Sequence, residues 1–236
     1  MIPVHNEAHT IATVVAGFYE ILKNVKGASL LVAEDGSTDC TKAVLEELSL
    51  RLPFTLSTAR KRKGYLRALR DALIAAEGDL IGFSDSDGTH DPRDILTLLR
   101  YSDGHDLICG IRTARKDPAY RIIASRLFNL LMRIVFRIHC VDINCGFKLM
   151  RKEVARTIVP QIRHLENGFS AELVIRASLE GKRIAAVPVT HFSRRYGVGD
   201  QFTLRKLPQV AINQLIGLVR LKSELSTKQK CSASLT

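Results

Sequence analysis

Residues 79–92 read D-L-I-G-F-S-D-S-D-G-T-H-D-P. A short apolar run ends in Asp85, Asp87 and Asp91, within a chain that is otherwise strongly basic. Like charges this close repel, and each raises the pKa of the other. The arrangement is harmless if the loop is a solvated turn capped by Asp91. It becomes useful if a divalent cation sits there. Side chains of an extended loop alternate with period two, so Asp85 and Asp87 project to the same side. Both can then reach one Mg2+ or Mn2+, with water and phosphate oxygens completing the shell.

Working outward, the first half alternates strand and helix. I-P-V-H, A-S-L-L-V-A, P-F-T-L-S, D-L-I-G-F-S and H-D-L-I-C-G-I read as five strands. Between the first two, Ile11, Val15, Phe18 and Leu22 share one helical stripe. Thr38 or Asp39 can cap a helix carrying Val44, Leu45 and Leu48. A third helix is expected near residues 65–77, and Pro92 opens a fourth. This spacing predicts βαβ units and an α/β fold, a Rossmann-like, mostly parallel sheet flanked by helices. Ligands of such sheets bind beyond the carboxyl ends of the strands. The loops His5-Asn6-Glu7, Asp35-Gly36-Ser37 and Asp85-Ser86-Asp87 all lie there and are expected to line one edge.

The second half is less regular. One long helix is expected over residues 119–138, a short one after Met150, another over 170–180, a strand at K-R-I-A-A-V-P-V, and a last helix over 208–222. The tail, residues 223–236, lacks apolar periodicity and reads as disordered.

The chain has 236 residues, 35 Lys plus Arg against 24 Asp plus Glu, and a net charge of +11, which points to an anionic partner. Single-stranded nucleic acid fits poorly, because there is no Trp and only 6% aromatic residues to stack on bases. Cys40, Cys109, Cys140, Cys145 and Cys231 form no C-x-x-C and read as free thiols in a reducing compartment. His139 beside Cys140 lacks a second pair at zinc spacing. No secretory leader is expected, though a strand starting so close to Met1 suggests further residues upstream. No apolar stretch reaches the ~20 residues of a membrane span. Lys61, Arg62 and Lys63 are a second phosphate-binding candidate, or a solvated basic loop. Glu7 and Asp35 could bond a ribose and a nucleobase, or serve as turn and cap residues.

I-P-V-H-N-E, E-D-G-S-T-D, K-G-x-x-x-A-L and D-S-D-G-T-H-D-P together resemble family 2 glycosyltransferases. G-I-R-T-A-R-K-D-P-A-Y-R-I-I-A-S, D-I-N-C-G-F-K-L-M, A-E-L-V-I-R-A and V-P-V-T-H-F-S-R-R-Y-G extend the resemblance to polyprenyl-phosphate hexose synthases, of the dolichyl-phosphate mannose or glucose synthase type. The resemblance covers residues 1–222 and implies a single GT-A domain, with residues 1–111 as the nucleotide-sugar half and 112–222 as the acceptor half. It further implies inversion at the sugar carbon. Pro3, His5, Glu7 and Asp35 would hold the nucleotide, Asp85 and Asp87 the metal, and Arg194 the donor from a closing loop. Arg112, Arg121 and Ser125 would hold the acceptor phosphate, with Asp142 beside the reacting centre. On this reading Asp87, Asp142 and Arg112 carry the catalysis. Thr89 stands where relatives often have a metal-reaching Gln. Gly197-Val198-Gly199-Asp200 replaces the usual G-x-S-K and loses its hydroxyl and cation.

A lipid phosphate is already anionic at neutral pH, so its attack needs no strong base. A sugar hydroxyl would need one, and Asp142 and Glu172 are the candidates. Glu172 can instead pair with Arg176 one helical turn on. In the long helix Arg126, Arg133 and Arg137 share one face, and Ile123, Leu127, Leu130, Leu131 and Ile134 another. Ile212, Leu215, Ile216 and Val219 line one side of the last helix. These C-terminal amphipathic helices suit the interface of an anionic membrane, peripheral at its cytoplasmic face, and leave room for a membrane-anchoring subunit. Two other readings stay open: a glycosyltransferase acting on a saccharide hydroxyl, and a catalytically inactive basic binding protein.

Overall fold

A computed structural model describes residues 1–138, 141–194 and 207–233. The first strand, β1 (Ile2–Val4), is followed by α1 (Ile11–Leu22), β2 (Leu31–Glu34), α2 (Thr41–Ser49) and β3 (Thr55–Thr58). Then come α3 (Tyr65–Ala75), β4 (Leu80–Phe83), α4 (Asp94–Arg100) and β5 (Leu107–Thr113). The second half holds α5 (Ala119–Phe136), β6 (Lys148–Arg151), α6 (Lys152–Thr157), α7 (Phe169–Leu179), β7 (Ile184–Thr190) and α8 (Leu207–Ala233).

β1, β2 and β3 form one parallel sheet. The other runs β4-β6-β5-β7, with β5 and β7 parallel and β6 antiparallel to both its neighbours. The two sheets adjoin where Met1 donates to the Gly82 carbonyl at 2.8 Å and Ser84 N donates to the Met1 carbonyl at 3.2 Å. All five expected strands of the first half are present. β6 is an addition to the pattern read from sequence, and it places one antiparallel member in a mostly parallel arrangement.

The helices cover the sheets with the stripes the sequence offers. On α1, Ile11, Val14, Val15 and Phe18 are buried, each contributing about 1.5–3 kcal/mol relative to exposure. On the other face Phe83 meets Phe169 of α7 edge-on, with ring centroids 5.9 Å apart. α7 is buried along nearly its whole length, because sheet, α3 and α8 surround it.

α8 differs from expectation in two ways. It continues to Ala233, so residues 223–233 are helical and not a disordered tail. The reason is non-local: Glu224 reaches Arg176 of α7, accepting from its Nη1 at 3.0 Å, and also takes His164 Nε2 at 2.6 Å and Arg163 Nη2 at 2.8 Å. Its inner face is Gly217, Leu218 and Leu221, while Ile212, Leu215, Ile216 and Val219 face outward. A Cβ at Gly217 would stand 2.3 Å from the His164 carbonyl oxygen, so the helix backbone lies directly on the loop before α7. On α5, Ile123, Leu127, Leu130 and Ile134 are exposed. Leu131 turns inward to pack on the core beside Met132 and Phe136. Arg126, Arg133 and Arg137 are exposed as expected.

Candidate active site

The three loops predicted to share an edge do so, and side chains stitch them together. Asn6, in the left-handed region at φ 54°, accepts from Thr38 N on its Oδ1 at 2.8 Å, while its backbone N–H donates to Ser37 Oγ at 3.0 Å. Glu7 N donates to Thr41 Oγ1 at 2.8 Å. Thr10 Oγ1 donates to Glu7 Oε2 at 2.9 Å and lies 3.2 Å from the Ser86 carbonyl, joining the first loop to the acid loop. Arg194, arriving after β7, bonds Glu7 and lies 3.6 Å from Asp87 Oδ2. Burial raises the Glu7 pKa, and the charge of Arg194 opposes the rise.

At the end of β4, Asp85 Oδ1 accepts from the Tyr65 hydroxyl at 3.2 Å. Its other oxygen presses on Gly146, where a Cβ would stand 1.9 Å from Asp85 Oδ2. Asp87 Oδ1 accepts from Thr89 N at 3.1 Å and Thr89 Oγ1 at 2.7 Å. The short Thr89 side chain is thus turned onto the acid. Burial, and then the charge of Asp87, push the Asp85 pKa up to about 7. Lys148, wholly buried on β6, donates to the carbonyls of Ile143 at 3.1 Å and Cys145 at 2.7 Å. It adds a cation that partly offsets the repulsion at Asp85. Among the described residues no group of three or more His, Cys, Asp and Glu could hold a metal. Two carboxylates, with the remaining positions left to water and phosphate, is a donor set suited to Mg2+ or Mn2+ and not to zinc.

Two expectations follow. A cation held by Asp85 would displace its proton, so apparent Mn2+ affinity should then fall about tenfold per unit below pH 7 and level off above it. Calorimetric titration across that range checks this, and Asp85→Asn should flatten the profile. The sign for stability is the reverse. The folded-state pKa lies above the unfolded one, so Asp85 favours the metal-free fold at low pH, and this contribution is lost as pH rises through about 7. Gly146→Ala should swing the Asp85 carboxylate off its seat and weaken Mn2+ binding by roughly 10- to 100-fold, with the fold retained by circular dichroism.

Asp35, buried at the end of β2, spends both oxygens on the basic loop. Oδ1 accepts from Lys63 N at 2.7 Å and Oδ2 from Gly64 N at 2.9 Å. Gly64 has φ 92°, a conformation that glycine adopts without strain. Asp35 therefore holds the loop that begins α3, and through Tyr65 that loop reaches Asp85. The basic run is a positioned wall of the site. The His5 Nδ1 lies 3.0 Å from the Asp35 carbonyl, and Pro3 is buried within β1 opposite Ala33.

On the far side, Arg112 at the end of β5 grips Asp142 with two bonds, Nε to Oδ2 at 2.8 Å and Nη2 to Oδ1 at 2.7 Å. Asp142 sits at φ 55°. Burial pushes its pKa up, but the bonds and charge of Arg112 outweigh this and hold it below the usual carboxylate range. Arg115 donates to Asp117 at 2.9 Å and to Ser125 Oγ at 2.9 Å. The Cys145 amide donates to the Asp142 carbonyl at 3.0 Å, and Gly146, the next residue, lies against Asp85, so the Arg112–Asp142 pair and the acid pair adjoin. Arg121 lies half-buried on the first turn of α5.

Glu172 does not join them. It is fully buried and accepts from the amides of Arg163, His164 and Leu165 and from Arg176, which makes it a structural clamp. Residues 197–200, like His139 and Cys140, lie outside the described residues. Tyr65, Gly146, Lys148 and Arg115 were given no part in the site from sequence, although each stands within or beside a quoted motif.

The sheet order, with the acid pair after β4 and Arg112 at the end of β5, fits a transferase of the GT-A fold class. Glucosyl-3-phosphoglycerate synthase from Mycobacterium tuberculosis has a similar fold, at TM-score 0.73 and 18% identity over 94% of this chain and 78% of that one. That protein was crystallised with Mn2+, UDP-glucose and phosphoglyceric acid. The chain belongs to glycosyl transferase family 2, whose pattern matches residues 1–159. It is 29% identical to polyprenol monophosphomannose synthase of Mycolicibacterium smegmatis, over 84% of this chain and 78% of that protein. Glycosyltransferase AglD of Haloferax volcanii is 30% identical over 80% of this chain, which spans 32% of that longer protein. An undecaprenyl-phosphate 4-deoxy-4-formamido-L-arabinose transferase of Salmonella paratyphi B is 25% identical, over 84% of this chain and 60% of its own length.

Proposed function

We propose that this chain is an inverting glycosyltransferase that moves a hexose from a nucleotide sugar, GDP-mannose or UDP-glucose, to a polyprenyl phosphate. Two relatives, a polyprenol monophosphomannose synthase and an undecaprenyl-phosphate transferase, support the acceptor class. The observation that carries the reading is the state of the two candidate bases. Glu172 is consumed by hydrogen bonds, and Asp142 is gripped by Arg112 and made a weaker base. Neither carboxylate named as a base from the sequence is therefore free to take a proton from a hydroxyl acceptor. A phosphate oxygen needs no such base, and arginines suit its recognition through charge-assisted bonds.

Asp85 and Asp87 would hold Mg2+ or Mn2+, which neutralises the departing nucleoside diphosphate when bound. Arg112 and Arg115, with Arg121 and Ser125 beside them, orient the lipid phosphate toward the anomeric carbon. Its oxygen forms the new bond as the bond to the diphosphate breaks on the opposite face. Arg194 faces the donor from the Glu7 and Asp87 side. Pro3, His5 and Glu34 close the nucleotide end. Glu34 is buried, and its Oε2 has no hydrogen-bond partner among the described residues, so it is an acceptor ready for a nucleobase. No helix among the described residues is long and apolar enough to cross a membrane. The exposed apolar residues of α5 and α8, with the basic face of α5, suit peripheral contact with the cytoplasmic leaflet or with an anchoring subunit. Residues 1–222 act as a single GT-A domain, extended by the rest of α8.

The test is transfer by purified protein with Mn2+ and each donor, using vesicles that contain polyprenyl phosphate. Metal-dependent formation of a polyprenyl-phosphate hexose is expected. Transfer only to a saccharide would overturn the acceptor. Steeply salt-dependent DNA binding without turnover would overturn the enzyme.

A further inference from the structure

A cleft of about 370 Å3 is lined by Arg62, Lys63, Gly64, Tyr65, Glu166 and Asn167. This is the lower end of the size range for small-molecule sites, room for one sugar ring and some water. Its two walls come from opposite halves of the chain, and a buried carboxylate fixes each. Asp35 holds the amides of Lys63 and Gly64. Glu172 holds those of Arg163, His164 and Leu165, the three residues just before Glu166. One wall also touches the acid pair, since Tyr65 donates to Asp85 at 3.2 Å. The cleft therefore adjoins the acid pair through Tyr65.

Its two polar side chains on the α7 side are uncommitted. Neither the Glu166 carboxylate nor the Asn167 amide makes a hydrogen bond among the described residues, although the backbone beneath them is clamped. We infer that this cleft seats the transferred hexose, and that Glu166 and Asn167 select it through hydrogen bonds to its ring hydroxyls. The inference rests on the nucleotide-sugar reading above. A carboxylate accepts from two vicinal hydroxyls, and an amide both donates and accepts, so together they report the configuration of neighbouring carbons. The charge pattern argues against an acceptor phosphate here. Arg62 would welcome one, but the Lys63 ammonium is paired with Asp71 at 2.9 Å and Glu166 on the facing wall would repel it. A neutral polyol with its phosphate toward Arg62 satisfies both walls.

The test compares Glu166→Gln and Asn167→Ala with wild type in the presence of Mn2+. Affinities are measured for GDP-mannose against GDP and for UDP-glucose against UDP, together with kcat/KM. Glu166 is exposed and Asn167 half-exposed, so both variants should keep the wild-type melting temperature. Affinity and kcat/KM for the preferred nucleotide sugar should fall about 10- to 100-fold, with the matching nucleoside diphosphate changed less than about twofold. Discrimination between the hexoses should narrow by a similar factor. Equal loss for sugar nucleotide and diphosphate, or no change in either, overturns the inference. So does a raised KM for polyprenyl phosphate with donor affinity intact, which would give the cleft to the acceptor. Wild-type transfer to a saccharide alone would sink the acceptor assignment but leave the donor-to-diphosphate ratio as a valid readout. If neither nucleotide sugar binds wild type, both readings fall.

Discussion

Asp87→Ala is expected to lower kcat/KM for sugar transfer by roughly a hundred- to a thousandfold. Asp87 anchors three things at once. Its Oδ1 fixes Thr89, its Oδ2 faces Arg194, and its charge is the second cause of the raised pKa of Asp85. Removing it leaves a single carboxylate for a divalent cation, so Mn2+ affinity should fall together with activity. The pKa of Asp85 should fall as well, because a repelling neighbour is gone. Calorimetric titration with Mn2+, alongside product formation from labelled donor, checks these together. Metal-dependent turnover at the wild-type rate would remove Asp87 from the active site.

The second large effect is on stability. Glu172→Ala should cost about 3–5 kcal/mol, because it leaves three backbone amides unpaired and takes from a buried guanidinium the more deeply buried of its two carboxylates. In a domain of this size each kcal/mol moves the melting temperature by about 2–4 °C, so a drop of roughly 6–20 °C is expected. Deleting residues beyond Lys222 removes Glu224 and with it the other partner of Arg176. That truncation should cost less, about 1–3 kcal/mol, since Glu172 remains. Glu172→Gln separates structure from chemistry. It should lower the melting temperature yet leave kcat of the folded fraction within about threefold of wild type. A loss of a hundredfold or more would restore Glu172 as a general base.

Much of this was legible in the sequence because the decisive signals are local. The strand ending in Asp85 and Asp87, the alternation before it, and the polar loops at three strand ends follow from periodicity and from the geometry of parallel sheets. β6 was not legible. K-L-M-R is four residues with a cation at each end, and nothing in that pattern says that Lys148 points its ammonium at two carbonyls inside the protein. The structural duty of Asp35 was hidden for a similar reason. Nothing in E-D-G-S-T-D shows that the amides of Lys63 and Gly64, 28 and 29 residues away, arrive to bond its two oxygens. The helix beyond Lys222 fails the local test because its partner, Arg176, lies 48 residues upstream of Glu224. Gly146 stood in a quoted motif, but its purpose is visible only once Asp85 is seen lying against its Cα.

Gly217 carries one more implication. Where α8 crosses the loop before α7, there is room for a hydrogen and nothing larger. That contact indexes the helix like a tooth in a ratchet. Sliding α8 by one residue would bring Leu218 or Ile216 to the crossing and rotate the outward stripe by about 100°. The azimuth of Ile212, Leu215, Ile216 and Val219 relative to the catalytic cleft is therefore locked by a single missing methyl group. A surface that binds this stripe would meet the enzyme in one fixed attitude.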